Sequence, residues 1–193
     1  MTPPPQEWHL QIATTPYLIS TSPAKLDHAF INASFAHEDM YWAKPLPADT
    51  LALMLQHSLT LGLYKHCPAE PSSPRTPSPT LEDPEDRDPM GEGWQQIGLA
   101  RFATDHVSFA YLSDVYIASE HRAAGLGAWL VRCCGEVLDG MPFLRRAILM
   151  ASEGVGKAYY ERVLGMEDVH GQDAGLVCMS RRGPGSALGE SGH

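Results

Sequence analysis

The stretch F-A-Y-L-S-D-V-Y-I-A-S-E-H-R-A-A-G-L-G-A-W-L-V-R-C-C-G-E-V-L, residues 109–138, decides the fold of this chain. Residues 109–117 carry only Ser113 and Asp114 as polar interruptions, which predicts a central strand covered on both faces. After a glycine turn the pattern changes to the period of an amphipathic helix. The apolar positions of this helix are Leu126, Trp129, Leu130, Cys133 and Val137.

The turn between this strand and this helix reads Arg122-x-x-Gly125-x-Gly127. The first amides of a helix lack intrahelical partners and lie at the positive end of the helix dipole, so this turn suits a phosphate group. A P-loop NTPase would need Lys followed by Ser or Thr, and a dinucleotide fingerprint would need a third glycine where Leu130 stands. Taken alone, the pattern also fits a tight turn that binds no ligand.

Composition limits the classes of protein. The chain has 193 residues, 44% of them hydrophobic, which suits one domain with a sizeable core. The net charge of −9 argues against a nucleic-acid partner, and no apolar run approaches the roughly 20 residues of a membrane helix. The N-terminus lacks the pattern of a signal peptide, and the four cysteines show no metal-ligand spacing. We therefore expect free thiols in a reducing compartment, the cytoplasm or also the nucleus, with no metal and no membrane partner.

Short apolar strands and amphipathic helices alternate along the rest of the chain. The predicted strands are residues 17–20, 59–65, 95–104, 109–117, 145–151, 166–170 and 176–180. Residues 8–12 are also a short β-prone run, but residues 17–20 are preferred as the first strand of the sheet. The predicted helices are residues 23–37 with Ser22 as N-cap, 47–58, 126–138, and 154–164 with Gly165 as C-cap. This order predicts the α/β class, as a mixed α+β sheet with helices on its faces.

The domain is predicted to span residues 17–180, after an N-terminal arm at 1–16 and before a disordered tail at 181–193. Within it, residues 67–93 are rich in proline, serine and acidic side chains and poor in apolar ones. Such a segment cannot bury enough surface to offset its ordering entropy. It is therefore predicted to be a disordered insertion at the tip of a hairpin.

Three features together resemble the GNAT superfamily of acyl-CoA-dependent N-acetyltransferases: the strand L-S-D-V-Y-I, the arginine-glycine loop, and the ending Y-E-R-V-L-G-M at residues 160–166. The resemblance covers roughly residues 17–170. It implies a mixed, mostly antiparallel sheet of about six to seven strands flanked by about four helices. It also implies that acetyl-CoA binds between the fourth and fifth predicted strands, residues 109–117 and 145–151.

The resemblance also implies a set of site residues. The pyrophosphate of CoA would lie on Arg122, Ala123, Ala124, Gly125, Leu126 and Gly127, and the pantetheine arm would pair with the main chain of Val115 and Ile117. Family loops often have glycine or a second basic residue where this chain has Ala123 and Ala124, which leaves Arg122 as the one full positive charge of the loop. Tyr160, next to the cofactor, is the preferred proton donor, and Tyr159 remains an alternative.

Other candidates come from the residues themselves. Asp114 is the one ionisable group in its apolar run, and because desolvation makes a carboxylate more basic, it could act as general base. A purely structural role for this carboxylate is the alternative. Tyr41 and Trp42 form an aromatic pair in a predicted loop and could wall the acceptor pocket, or simply pack in the core.

These features predict an acetyl-CoA-dependent N-acetyltransferase. It would pass an acetyl group to a primary amine, on a small molecule or a peptide, by direct transfer in a ternary complex. A catalytically idle acyl-CoA-binding module, serving as a sensor or interaction domain, is the competing hypothesis. The sequence does not specify the acceptor or the oligomeric state.

Overall fold

A computed structural model describes residues 4–67, 93–169, 179 and 181. Its sheet has six strands in the order of the chain, all neighbours antiparallel except the last pair, which is parallel. The strands are β1 (Glu7–Ile12), β2 (Thr15–Ser20), β3 (Ser58–His66), β4 (Trp94–Thr104), β5 (Phe109–Ile117) and β6 (Arg146–Leu149). The helices are α1 (His28–Phe35), α2 (Ala48–Gln56), α3 (Leu126–Asp139) and α4 (Val155–Leu164). The predicted fold class is confirmed.

Two apolar clusters fill the space on the two faces of the sheet. One cluster contains Phe102 and Leu130 and receives α3 and α4. The other contains Ile31 and Leu51 and receives α1 and α2. Cys133 on α3 is a buried free thiol whose pKa burial raises to about 12, so it is an inert core residue.

The first predicted helix was wrong over its first turns. Pro23–Lys25 form a short 3-10 turn, and the α-helix begins only at His28. Asp27 is its N-cap, because its carboxylate accepts the amide of Phe30 at 2.9 Å. The amide of Asp27 itself donates to the side chain of Gln96 at 2.8 Å, which holds the break in place. A cap supported by a distant strand thus replaced the local signal at Ser22.

The prediction that the sheet begins at Tyr17 was also wrong. Residues 7–12, within the predicted N-terminal arm, form β1 and pair with β2 from Glu7↔Ser20 to Ile12↔Thr15. The side chain of Trp8 donates to Glu136 on α3 at 2.7 Å. Residues 8–12 were recognised as a β-prone run, but their pairing with β2 and this contact between residues far apart in the chain were not predicted. The predicted domain boundaries stay predictions.

The C-terminal part of the predicted sheet is only partly described. Residues 166–169 form no strand, and of residues 170–180 only Met179 is described. β6 is shorter than predicted and half-buried, because it is the outermost strand of the described sheet. Most of the predicted insertion at 67–93 and of the predicted tail also lies outside the described residues. None of the helices in the described part is long and apolar enough to cross a bilayer.

Gly62 on β3 leaves room for a buried tyrosine. A Cβ at Gly62 would lie 2.7 Å from Cε2 of Tyr64 and closer still to its hydroxyl, which donates to the carbonyl of Lys25 at 2.8 Å. Because Tyr64 is fully buried and cannot move aside, we expect Gly62→Ala to lower the free energy of unfolding by about 1–3 kcal/mol. Urea unfolding measures this change. Gly140→Ala, whose Cβ meets nothing closer than 3.4 Å, is the matched control, and equal losses in the two variants would contradict the packing argument.

Candidate active site

An opening separates the C-terminal half of β5 from β6. The two strands pair only from Phe109↔Arg146 to Leu112↔Leu149. Beyond that point residues 113–117 have no strand partner on this side among the described residues, while β6 ends and the chain turns towards α4. The sheet is therefore split between the strands on which the sequence predicted cofactor binding.

A β-bulge at Ser113 begins this opening. Across β4 and β5, Arg101 pairs with Asp114 and the next residue pairs with Leu112, so Ser113 is an extra residue on β5. The bulge changes the face on which side chains lie. Leu112 packs into the cluster of α3 and α4, whereas Tyr116, four residues later, packs into the cluster of α1 and α2.

β5 is consequently not covered on both faces along its whole length. The sequence prediction of a strand covered on both faces was wrong on this point. Tyr111, Ser113 and Val115 are only half-buried, because they border a cavity. The cavity measures about 320 Å³ and receives residues from both faces of the sheet. Its lining comprises Tyr41, Trp42, Tyr111, Leu112, Ser113, Val115, Leu149, Met150, Ala151, Ser152, Gly156 and Tyr160.

Four residues chosen from the sequence meet in this cavity: Tyr41, Trp42, Val115 and Tyr160. Sequence reasoning had no means to include Tyr111, because a tyrosine on an apolar strand fits ordinary core packing. Burial raises the pKa of Tyr111 above its usual value, with a smaller contribution from the nearby carboxylate of Asp114. Its phenol therefore stays neutral at physiological pH and can serve as a hydrogen-bond donor.

The two tyrosines of α4 have different surroundings. Tyr160 borders the cavity, and burial raises its pKa to about 12. Tyr159 meets Tyr160 edge to face, with ring centroids 5.1 Å apart, and does not line the cavity. Its hydroxyl lies near Gly127, 4.0 Å from where a Cβ would be, and Arg162 lies over its ring at 6.0 Å. The geometry favours Tyr160 as the residue that reaches a reacting group.

Asp114 is buried behind the cavity in a network that uses both of its oxygens. Arg101 donates to Oδ2 at 2.6 Å, and the indole N–H of Trp42 donates to Oδ1 at 3.1 Å. Arg101 also donates to the hydroxyls of Ser58 at 3.0 Å and of the bulge residue Ser113 at 3.2 Å. This arrangement favours a positioning role for Asp114, holding the bulge and Trp42, over the role of a general base.

The loop before α3 presents free amides to solvent. Gly125 is the N-cap in a left-handed conformation, with φ of 76°, and no side chain caps the helix. The first intrahelical bond runs from the amide of Trp129 to the carbonyl of Gly125, so the amides of residues 126–128 lack partners in the helix. Ala123 is also left-handed, with φ of 71°, at a position where family loops often carry glycine. These amides fit a phosphate group.

Arg122 is held against the end of β5. Its Nε donates to the carbonyl of Ile117 at 2.9 Å, and its guanidinium pairs with Asp39 at 2.6 Å and lies 5.7 Å from the ring centre of Tyr116. Both members of the ion pair are about half exposed, so the pair adds little to stability. The guanidinium thus shapes the turn besides contributing positive charge to it.

The main chain of β5 offers hydrogen-bonding groups to the opening. The amide of Ala118 donates to Ile97 on β4, so the main-chain groups of residue 118 face β4. Because these groups alternate along a strand, those of Ile117 and Val115 face away from β4, towards the open side. The carbonyl of Ile117 already accepts from Arg122, which leaves Val115 as the freer partner for a ligand.

Comparisons with known proteins agree with this geometry. No family profile matches the chain. A protein of Gibberella zeae named "Putative acetyltransferase FG08082" is 36% identical over 184 residues, which cover 94% of this chain and 96% of that protein. A crystal structure described as "a putative acetyltransferase belonging to the gnat family" from Xanthomonas campestris pv. campestris is 25% identical, with a TM-score of 0.59 over 88% of this chain and 94% of that one. The chain belongs to the GNAT superfamily of acetyltransferases.

Proposed function

We propose that this protein uses acetyl-CoA to acetylate a primary amine, by direct transfer in a ternary complex. The observation that carries the proposal is the opening at the Ser113 bulge, which has the partly buried Tyr160 on one side and a loop of free amides at the end of the same strand. A thioester held along β5 would thus have its pyrophosphate at the loop and its acetyl group beside Tyr160.

The loop amides and the open edge of β5 fit CoA in their chemistry. Amides of Ala123 to Gly127 would hold the pyrophosphate, and the main chain of Val115 would pair with the pantetheine arm. The neutral acceptor amine would attack the thioester carbonyl. A main-chain N–H at the bulge would stabilise the oxyanion, because it is oriented before charge develops. Collapse of the intermediate breaks the carbon–sulfur bond and releases the thiolate of CoA.

Tyr160 would protonate this thiolate, and its phenolate would then regain, through water, the proton that the attacking nitrogen loses. Its pKa of about 12 keeps the phenol neutral and protonated at neutral pH, so it is available as a proton donor. In water a thiol has a pKa of about 8.5, which would make the transfer uphill by about 5 kcal/mol. The thiolate is formed in the same cavity, however, and partial desolvation there raises its pKa as well. The mismatch is therefore smaller at the moment of transfer than in water.

The pH profile of kcat/KM tests this assignment of the acid. Tyr160 must be protonated to act, and because burial raises its pKa to about 12, activity should not fall as the pH rises through the range of ordinary tyrosines. We expect kcat/KM to rise from about pH 6 to 9.5, as more of the amine becomes neutral, with no descending limb. A descending limb centred below about pH 9 would assign the acid to a different group.

Binding of CoA tests the loop. We expect Arg122→Ala to raise the dissociation constant of CoA about tenfold, because the variant loses a positive charge and the hydrogen bond that holds the turn to Ile117. Isothermal titration measures this constant. Arg145→Ala is the matched control, because Arg145 is exposed and lies just before β6, beside Ser108 at the end of β5 opposite to the loop. A constant within about threefold of the wild type in Arg122→Ala would contradict the assigned loop.

Amine-dependent release of CoA tests the activity itself. The full chain is mixed with acetyl-CoA and a panel of primary amines, and free thiol is recorded against a blank without amine. We expect at least one amine to accelerate release well above the blank, with formation of the N-acetyl product. Tight binding of acetyl-CoA without amine-dependent release across the panel would instead support the idle acyl-CoA-binding module.

A further inference from the structure

Aromatic rings surround the part of the cavity that lies towards α1 and α2. Tyr41 and Trp42 come from the loop between these helices, and their rings meet edge to face with centroids 5.0 Å apart. Tyr111 borders the same cavity from β5, and Tyr160 borders it from α4. Tyr41 is 60% exposed, so much of its ring surface at the cavity rim is free to contact a ligand.

The indole of Trp42 is fixed in place. Its N–H donates to Asp114 at 3.1 Å, and its ring packs against the cluster of α1 and α2. The polar atom of the indole is thereby used inside the protein. What Trp42 offers to the cavity is apolar ring surface, which favours another flat apolar group.

The described residues that line the cavity include no Asp, Glu, Lys, Arg or His. The nearest buried charge is that of Asp114, which is 3% exposed and paired with Arg101 at 2.6 Å. A carboxylate or a second ammonium on an acceptor held between these rings would therefore give up part of its water without gaining a counter-charge from these residues. The ring faces can still attract the one ammonium of an arriving amine before it loses its proton.

We infer that the acceptor is a primary amine carried on an aromatic body without a second charged group, an inference that rests on the proposed N-acetyltransferase activity. The cavity of about 320 Å³ is of the size that binds small ligands, so it can hold such a body beside the acetyl group. An aromatic ring would lie against Tyr41 and Trp42, and its amine would point towards Ser113.

Four amines separate the contributions of ring and charge. 2-Phenylethylamine has the ring and one amine, and L-phenylalanine adds a carboxylate to it. n-Butylamine has one amine without a ring, and 1,4-diaminobutane adds a second amine. With the full chain and acetyl-CoA, we expect kcat/KM for 2-phenylethylamine to exceed that of each other amine at least about tenfold.

Each outcome of this comparison is decisive. Turnover of L-phenylalanine, n-butylamine or the diamine at an equal or higher kcat/KM would overturn the inference and leave the proposed activity standing. If no amine is turned over, titration of 2-phenylethylamine into the CoA-saturated protein decides: saturable binding supports the aromatic site although the proposed activity fails, and no binding at about 10 mM overturns the inference. Absence of acetyl-CoA binding would overturn the proposed function and the inference with it.

A variant at the rim checks that the ring of Tyr41 is responsible. We expect Tyr41→Ala to raise KM for 2-phenylethylamine about three- to tenfold, to raise KM for n-butylamine less, and to leave the dissociation constant of CoA unchanged. Leu53→Ala is the control, since Leu53 is a similarly exposed apolar residue on α2 outside the cavity. An equal rise in KM for both amines would mean that Tyr41 acts on the fold rather than on the aromatic body.

Discussion

Replacing Tyr160 by phenylalanine is expected to lower kcat by about 100- to 10,000-fold, the usual contribution of a positioned general acid. The variant keeps the ring that packs against the core beside α3 and loses only the hydroxyl. The dissociation constant of acetyl-CoA should therefore stay within about threefold of the wild type. Steady-state kinetics with the best amine, together with titration of acetyl-CoA, separates the two effects.

Tyr159→Phe is the matched control for this experiment. Both tyrosines lie on α4 and touch each other, but Tyr159 lies outside the cavity. We expect its kcat to change by less than about threefold. A larger loss in Tyr159→Phe than in Tyr160→Phe would exchange the roles assigned to the two residues.

Replacing Asp114 by alanine is expected to lower the free energy of unfolding by about 3–5 kcal/mol, because Arg101 would keep a buried charge without its partner. The side chain of Arg101 is 13% exposed and that of Asp114 is 5% exposed, so water cannot take over the lost contact. Trp42 would lose the acceptor of its indole N–H at the same time. Urea unfolding followed by tryptophan fluorescence measures the loss.

Two further variants test whether charge is the cause. Ser58→Ala removes a neutral partner of Arg101 and should cost only about 1 kcal/mol. The double variant Arg101→Met with Asp114→Leu removes both charges together and should recover much of the stability lost in Asp114→Ala. A loss below about 1 kcal/mol in Asp114→Ala would mean that this pair does not hold the bulge.

Local sequence patterns were sufficient to predict those helices and turns that depend on residues close together in the chain. α3 follows from its apolar period, and α4 ends at Gly165, which is left-handed with φ of 63°, as the predicted C-cap requires. The turn before α3 was also predicted from its glycines, and Gly125 has the positive φ that glycine adopts easily. The resemblance to the superfamily then located the opening beside β5.

Contacts between distant residues were beyond this kind of prediction. The bond from Trp8 on β1 to Glu136 on α3 joins residues 128 positions apart, and no local pattern predicts it. The surroundings of Asp114 depend on Arg101 and on Trp42, the latter 72 residues away. The sequence therefore indicated that Asp114 was unusual and left both roles open, whereas its partners favour positioning.

Binding of acetyl-CoA to the opening beside Val115 is the central claim, and a paired titration tests it most directly. The full chain and its Val115→Trp variant, which fills the opening with a larger ring, are titrated with acetyl-CoA after equal thermal stability has been verified. We expect one-site binding with a dissociation constant of about 1 mM or tighter in the wild type, weakened at least about tenfold in the variant. Absence of binding to the wild type, or equal binding to both proteins, would contradict the account.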